Sequence, residues 1–418
     1  MPRQRLVRTL LRAAELCATV VALFVASRAV LPLLIHGSAD IKHDAEPPML
    51  IERLPYWFIY AFTILQWASR PRHLLRALTR NPFVPALVGI AVLSLSWSVD
   101  PGVTLRGAWQ LGIWTLFGLY LGARYSSEEL LRLLGIVFSV TAVLSVFFAL
   151  MLPDYGLAHG TNEGAWQGVF TQKNTLGESM LLAAIVFRLL AGRRDGFRVL
   201  AWAGTALAIA LLVLSRSMTA LLVLGVLIVA TPLARLLRRG RGKSVVLLLA
   251  LCGALSVAVL IAATHGELVL SAVGKDVTLT GRTDLWAAVL DRIAERPLLG
   301  YGYGAFWLHG AGPAEALRAT VGWDAPHSHN GFLDFWLDVG LVGLTALVAA
   351  LALGVRRAWV RWSRDPDVER LWPLVFLVAT ILTDVTESPL YQGGLTWPLF
   401  VFAATVTAGW DDVNGRRT

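Results

Sequence analysis

An all-α polytopic membrane protein is the fold class this chain predicts, and three observations predict it. Of its 418 residues 56% are hydrophobic and only 16% are charged, with a mean hydropathy of +0.62. Soluble domains carry roughly 25% charged residues. Apolar runs of about 20 residues, the length that crosses a hydrocarbon core, recur along the whole chain. Basic residues collect in alternate connections between those runs, as cytoplasmic loops do.

Taken in order, about twelve runs read as spans, near 14–35, 50–68, 82–98, 107–123, 131–152, 174–191, 198–214, 217–234, 244–264, 331–354, 370–386 and 394–410. The first follows Arg3, Arg5, Arg8 and Arg12 but shows no small-residue cleavage site. It reads as a retained first span, interrupted by Arg28, rather than a signal peptide. The basic connections are the Arg3–Arg12 tail, Arg70/Arg72/Arg76/Arg80, Arg193/Arg194/Arg198, Arg235/Arg238/Arg239/Arg241/Lys243 and Arg356/Arg357/Arg361/Arg364. The intervening loops are poor in Lys and Arg, and one holds Asp40, Asp44 and Glu46. An even number of spans with both termini cytoplasmic satisfies every loop at once. Residues 1–418 thus read as a single integral membrane domain.

The net charge of +9 invites a nucleic-acid reading, but the basic residues are accounted for by the loops, so no nucleic-acid partner is expected. Cys17 and Cys252 both lie in apolar runs, which excludes a disulfide framework or a thiolate metal site.

Two connections on the outer side are not mere links. One, 153–173, is short and glycine-rich. The other, 265–331, is too long to be a connector. Within it Leu285, Trp286, Val289, Leu290 and Ile293 recur at helical spacing and Pro297 closes the run, which predicts an amphipathic helix. Thr283 and Asp284 are its candidate N-caps, placing Arg282 just ahead of it.

Chemistry is read from the polar residues at the outer ends of spans. Four clusters fall there: Gly168–Gly177 with Lys173 and Asn174, Ser215-Arg216-Ser217, Gly281-Arg282-Thr283, and Ala325-Pro326-His327-Ser328-His329-Asn330-Gly331. Lys173, Arg216 and Arg282 offer three cations for an anionic phosphate group, and a histidine offers a base that can take a proton from a hydroxyl. For Lys173 the alternative is an interfacial anchor with a snorkelling side chain. Arg216 lies between two apolar runs with almost no loop, where a charge points to function. Arg282 stands at a helix start, a ready anion site, or else is an ordinary surface arginine. His329, followed by Asn330 and Gly331 at a helix start, is the candidate base, with His327 in support. Asp334 and Asp338, one turn apart, would orient His329, hold a sugar hydroxyl, or line a solvated vestibule. Trp166, Trp307 and Trp323 are candidate stacking surfaces for sugars.

Other patterns carry less. Gly300-Tyr301-Gly302-Tyr303-Gly304 lacks the Lys and Ser/Thr of a phosphate loop and reads as a flexible turn. No metal-ligand signature is present in the sequence.

At His329-Asn330, followed after nine residues by Gly340 and two residues later by Gly343, the chain resembles the O-antigen ligase/polymerase superfamily of bacterial envelope glycan enzymes. Ser215-Arg216-Ser217 and Gly281-Arg282-Thr283 look like the family's two arginine positions. The likeness is most specific over 205–345. Phe170-Thr171-Gln172-Lys173-Asn174 is similar to the branch of exopolysaccharide polymerases of the succinoglycan type. The resemblance implies a GT-C-like enzyme of the bacterial inner membrane with 265–331 as a periplasmic loop and a periplasmic active site. Its donor would be a glycan on undecaprenyl pyrophosphate and its acceptor lipid A–core or a growing polysaccharide. It further implies His329 as catalytic base, Arg216, Arg282 and Lys173 on the pyrophosphate, inversion at the anomeric carbon, and no cofactor or metal. A non-catalytic lipid-glycan transporter is the reading from another class. Such proteins bind near the midplane between internal repeats, and the sequence shows no such symmetry.

Overall fold

The computed structural model describes residues 2–29, 50–69, 71–193, 196–237, 280–308, 310 and 312–406. The expected span at 244–264, Cys252 and the acidic loop of Asp40, Asp44 and Glu46 lie outside them. The described residues are mostly helical, with no strand beyond one isolated Leu157–Trp166 bridge. Three described segments are long and apolar enough to cross a membrane: Arg5–Ala26, Ser127–Met151 and Gly331–Arg364. Shorter apolar helices occupy Phe83–Ser96, Arg198–Leu214, Met218–Pro232 and Thr396–Thr405.

The chain divides into two units. The first, covering 1–42, 46–71 and 125–221, holds α1 (Pro2–Ala26), α2 (Leu50–Ala68), α6 (Ser127–Met151), α7 (Lys173–Leu190) and α8 (Arg198–Leu214). The second, covering 43–45, 72–124 and 222–418, holds α4 (Phe83–Leu93), α5 (Pro101–Arg124), α10 (Thr280–Glu295), α11 (Pro313–Val321), α12 (Gly331–Arg364), α13 (Val368–Asp384) and α14 (Thr396–Thr405). Helix α3 (Pro71–Leu78) opens at the first division, and α9 (Met218–Leu237) runs across the second.

In the first unit α7 packs along α8 and against α6, and α1 against α2 and α6. The first helix differs from expectation. It begins at Pro2 rather than near 14 and ends at Ala26, because Ser27 and Arg28 form a turn with Arg28 in the left-handed region at φ 57°. Helix α6 opens with a reciprocal capping box. Ser126 accepts from the Glu129 N–H, and the Glu129 carboxylate accepts from the Ser126 N–H.

In the second unit α5 and α14 lie closest together, and α12 packs on α4, α13 and α14. Trp397 donates to the Thr115 hydroxyl at 2.9 Å and stacks on Phe335 with ring centroids 6.0 Å apart. The amphipathic helix is present as α10. Leu285, Val289 and Ile293 are buried against Tyr301, Phe306, Trp307, Leu317 and Leu337. Its start corrects the sequence expectation: the helix begins at Thr280, so Thr283 and Asp284 are exposed residues within it and not N-caps. Leu290, expected on the apolar face, is 48% exposed.

The Gly300–Gly304 run is a second correction. It is not a loose turn but completes a broken helix. At Gly340 (φ 67°, ψ −172°) α12 leaves helical geometry, and its hydrogen-bond ladder is taken over by residues 297–302. The N–H groups of Tyr301 and Gly302 donate to the carbonyls of Leu337 and Asp338 at 2.9 and 2.8 Å. In return Leu341 and Val342 donate to the carbonyls of Pro297 and Leu298 at 2.9 and 3.3 Å. Both frayed ends are thereby satisfied, as buried backbone requires. Only glycine fits position 340, since that φ/ψ is closed to other residues and a Cβ would lie 2.1 Å from the Leu298 oxygen.

Candidate active site

The 325–331 loop is built from its backbone outward. Ser328 is fully buried; its N–H donates to Asp334 Oδ1 at 2.9 Å, and its carbonyl accepts from Trp286 Nε1 at 2.8 Å. Asn330 is the N-cap of α12, accepting from the N–H groups of Phe332 and Leu333, both at 3.1 Å. Its amide also donates to the Val385 carbonyl at 3.0 Å, and Gly331 N–H donates to the Glu387 carbonyl at 3.0 Å. The loop is thus tied both to α10 and to the segment after α13. Between these anchors His329 is held at φ 54°. A non-glycine residue there costs of order 1–2 kcal/mol.

That conformation brings His329 to an acid that no sequence pattern marked. Glu387 Oε2 lies 3.1 Å from His329 Nδ1, and its other oxygen accepts from Arg282 at 2.8 Å. Arg282 also donates to the Thr386 carbonyl at 2.7 Å. The side chains of Glu387, Arg282 and His329 keep only 6%, 16% and 19% of their exposure. Burial alone would raise the Glu387 carboxyl, but the His329 hydrogen bond and the Arg282 charge outweigh it and hold the group well below the ordinary glutamate range. An ionised acceptor at Nδ1 places an imidazole proton there, so in the neutral ring it is Nε2 that carries the lone pair. Nε2 has no partner among the described residues.

The His327 ring lies against that of His329, with centroids 4.1 Å apart and the planes tilted by 48°. Its Nδ1 accepts from the His329 N–H at 3.1 Å, so its proton sits on Nε2. Gln392 Nε2 lies 2.8 Å from that nitrogen; turning the amide over would instead bring its oxygen there to accept from it. The Trp323 ring lies 6.1 Å from that of His329, tilted by 37°.

Asp334 and Asp338 are fully buried, which removes the solvated-vestibule reading. Asp334 accepts from Ser328 N–H, Trp307 Nε1 and the Ser388 hydroxyl, the last at 2.6 Å, and so braces the loop rather than touching the imidazole. Asp338 accepts from the Gly304 N–H. Trp307 is a buried part of this frame, not an open stacking surface. Arg318, unmarked in the sequence, is buried and donates to the carbonyls of Ala325, Leu308 and Trp307 at 3.1, 3.0 and 3.0 Å. It also pairs with Glu315 and Asp324.

Lys173 and Arg216 come together in the first unit. Arg216 occupies the tight turn between α8 and α9 at φ 52°, with its side chain exposed and donating to the Glu163 carbonyl at 3.3 Å. Lys173 Nζ donates to the Arg216 carbonyl at 3.3 Å, and Asn174 shares the first turn of α7 with it. The approach depends on Gly177, where a Cβ would meet Ser217 Cβ at 2.4 Å.

Residues 203–348, which carry Arg216, Arg282, His329 and Gly340, match the O-antigen ligase family. The chain is 29% identical over 344 residues to the exopolysaccharide production protein ExoQ of Rhizobium meliloti (strain 1021), covering 78% of this chain and 76% of that protein. Over residues 203–348 the chain is similar to the O-antigen ligase family, and it is a membrane protein. The two similarities support a glycan-processing function of the O-antigen ligase/polymerase kind. Glu387 lies outside the matched region, on the far side of α13.

Proposed function

We propose that this chain transfers a glycan from undecaprenyl pyrophosphate to an acceptor hydroxyl at the periplasmic face of the bacterial inner membrane. The observation that supports it is the carboxylate of Glu387 shared between His329 Nδ1 and Arg282, with His329 Nε2 left available. In this reading Nε2 takes the proton of the acceptor hydroxyl as its oxygen attacks the anomeric carbon. The bond from that carbon to the pyrophosphate oxygen breaks on the opposite side, so configuration inverts. Undecaprenyl pyrophosphate leaves with the electron pair. Glu387 fixes the tautomer and offsets the positive charge the ring gains, as the acid of a hydrolase triad does. Arg282 uses two contacts on the protein and keeps further N–H donors for the departing pyrophosphate. Arg216 and Lys173 are assigned to pyrophosphate binding on the family resemblance alone.

The acceptor favoured is a growing polysaccharide, since the relative that covers most of the chain is an exopolysaccharide production protein. Lipid A–core is the second reading, supported by the O-antigen ligase match over 203–348. Purified protein given lipid-linked repeat units distinguishes them. A ladder of lengthening chains without lipid A–core supports the polymerase; product only when the core is added supports the ligase. No product with either acceptor overturns the transferase reading.

A further inference from the structure

Beside the histidine pair lies a cavity of about 350 Å3 that neither the family motif nor the assigned catalytic groups explain. It lies at the lower end of the roughly 300–1,000 Å3 typical of small-molecule sites. One side is the N-terminal part of α5, with Arg106 and Gln110; the other is the turn at Tyr391 and Gln392; Trp114 and Trp397 also line it. Close approach of α5 to the Gly300–Gly304 run defines its wall, since a Cβ at Gly107 would stand 3.2 Å from the Tyr303 ring.

Three observations say what fits there. Aromatic walls and carboxamides together suit a pyranose, whose C–H face packs on rings while its hydroxyls meet amides. The lining holds one charged residue, Arg106, which is exposed and makes no hydrogen bond or ion pair with any described residue. A guanidinium free on both edges is a fork for a carboxylate. Finally, Gln392 belongs both to the cavity and to the His327 contact, so a ligand there reaches the edge of the catalytic pair. Tyr391, the neighbouring wall, is kept a neutral phenol: burial and the nearby carboxylates of Asp338 and Asp334 push its hydroxyl well above its usual range.

We propose that this cavity is the acceptor subsite and that it takes a sugar residue bearing a carboxylate, with the acid on Arg106 and an attacking hydroxyl toward the histidines. The inference rests on the transferase reading above but is tested apart from it. Full-length protein in nanodiscs is titrated by calorimetry with an oligosaccharide ending in glucuronic acid and with its carboxyl-reduced, glucose-ended counterpart, both without donor. The acidic probe should bind about tenfold tighter. Arg106→Gln should abolish that preference, and His329→Ala should leave it intact. In turnover, Arg106→Gln should raise the acceptor KM about tenfold with donor KM and kcat little changed. Failure of the wild type to bind either probe, or a preference that survives Arg106→Gln, overturns the subsite. So does a rise in donor KM alone, which would assign Arg106 to the pyrophosphate. Acidic-probe binding without any transfer by the wild type would retain the subsite and sink the transferase reading.

Discussion

Glu387 and His329 stand 58 positions apart in sequence, yet a carboxylate oxygen of one lies 3.1 Å from Nδ1 of the other. Two hydrogen bonds hold that distance, from the Asn330 side-chain amide to the Val385 carbonyl and from the Gly331 N–H to the Glu387 carbonyl. The pair is therefore set by the packing of α12 on α13, not by a flexible side-chain encounter.

Replacing Glu387 by Gln keeps the shape and removes the charge. Transfer should fall by roughly 10²–10⁴, the usual worth of a positioned acid–base group, while donor binding persists. His329→Ala should abolish transfer with donor lipid still bound. Single-turnover assays beside equilibrium donor binding measure both, and normal kcat in either variant would remove the role assigned to that side chain.

The same acid predicts an asymmetric response to low pH. Its folded-state value lies below the ordinary 4.5, so the Glu387 contacts contribute their full stability above that pH. That contribution is lost only as pH falls through the depressed value. Thermal unfolding of the purified protein between pH 7 and 4 should show no loss in wild type that Glu387→Gln abolishes. A Glu387-dependent drop already near pH 5 contradicts the assignment.

At Arg216, alanine and glycine replacements separate charge from backbone. Both should raise the donor KM by about tenfold through loss of the guanidinium. Glycine relieves the φ of 52°, so Arg216→Gly should be more stable than Arg216→Ala by about 1 kcal/mol. Equal melting temperatures would mean that the turn is not strained.

Gly340→Ala should destabilise the fold by at least 1–3 kcal/mol, the usual cost of a glycine-only backbone state, with the contact at Leu298 adding to it. Yield of folded protein and melting temperature report it. Retained stability would show that the helix break can be closed.

Much of the helical plan was legible because hydrophobic runs and loop charge depend only on composition over a window. The helices at 50–68 and 198–214 coincide with the expected runs. His329 and Arg282 were legible as candidates because polar residues between apolar segments are conspicuous. Glu387 was not, since a lone acid after an apolar run looks like any interfacial carboxylate until the fold returns it to the histidine loop. Arg318 and Arg106 were hidden for the same reason: one serves through burial and the other through a cavity wall, and neither leaves a periodic trace. The Gly300–Gly304 run misled because its partners are the carbonyls of Leu337 and Asp338, more than thirty residues downstream. The one available hint was Gly340, whose spacing from His329 is that of a helix interrupted after its first turns.

That interruption divides mechanical labour. The backbone of 297–302 clasps the helix on both sides of the break, at Leu337 and Asp338 and again at Leu341 and Val342, and the remainder of α12 runs on to Arg364. Tilting of that remainder in lipid, as bilayer thickness varies, is met at the clasp before it reaches the imidazole. The His329–Glu387 alignment is thereby insulated from the membrane that surrounds it.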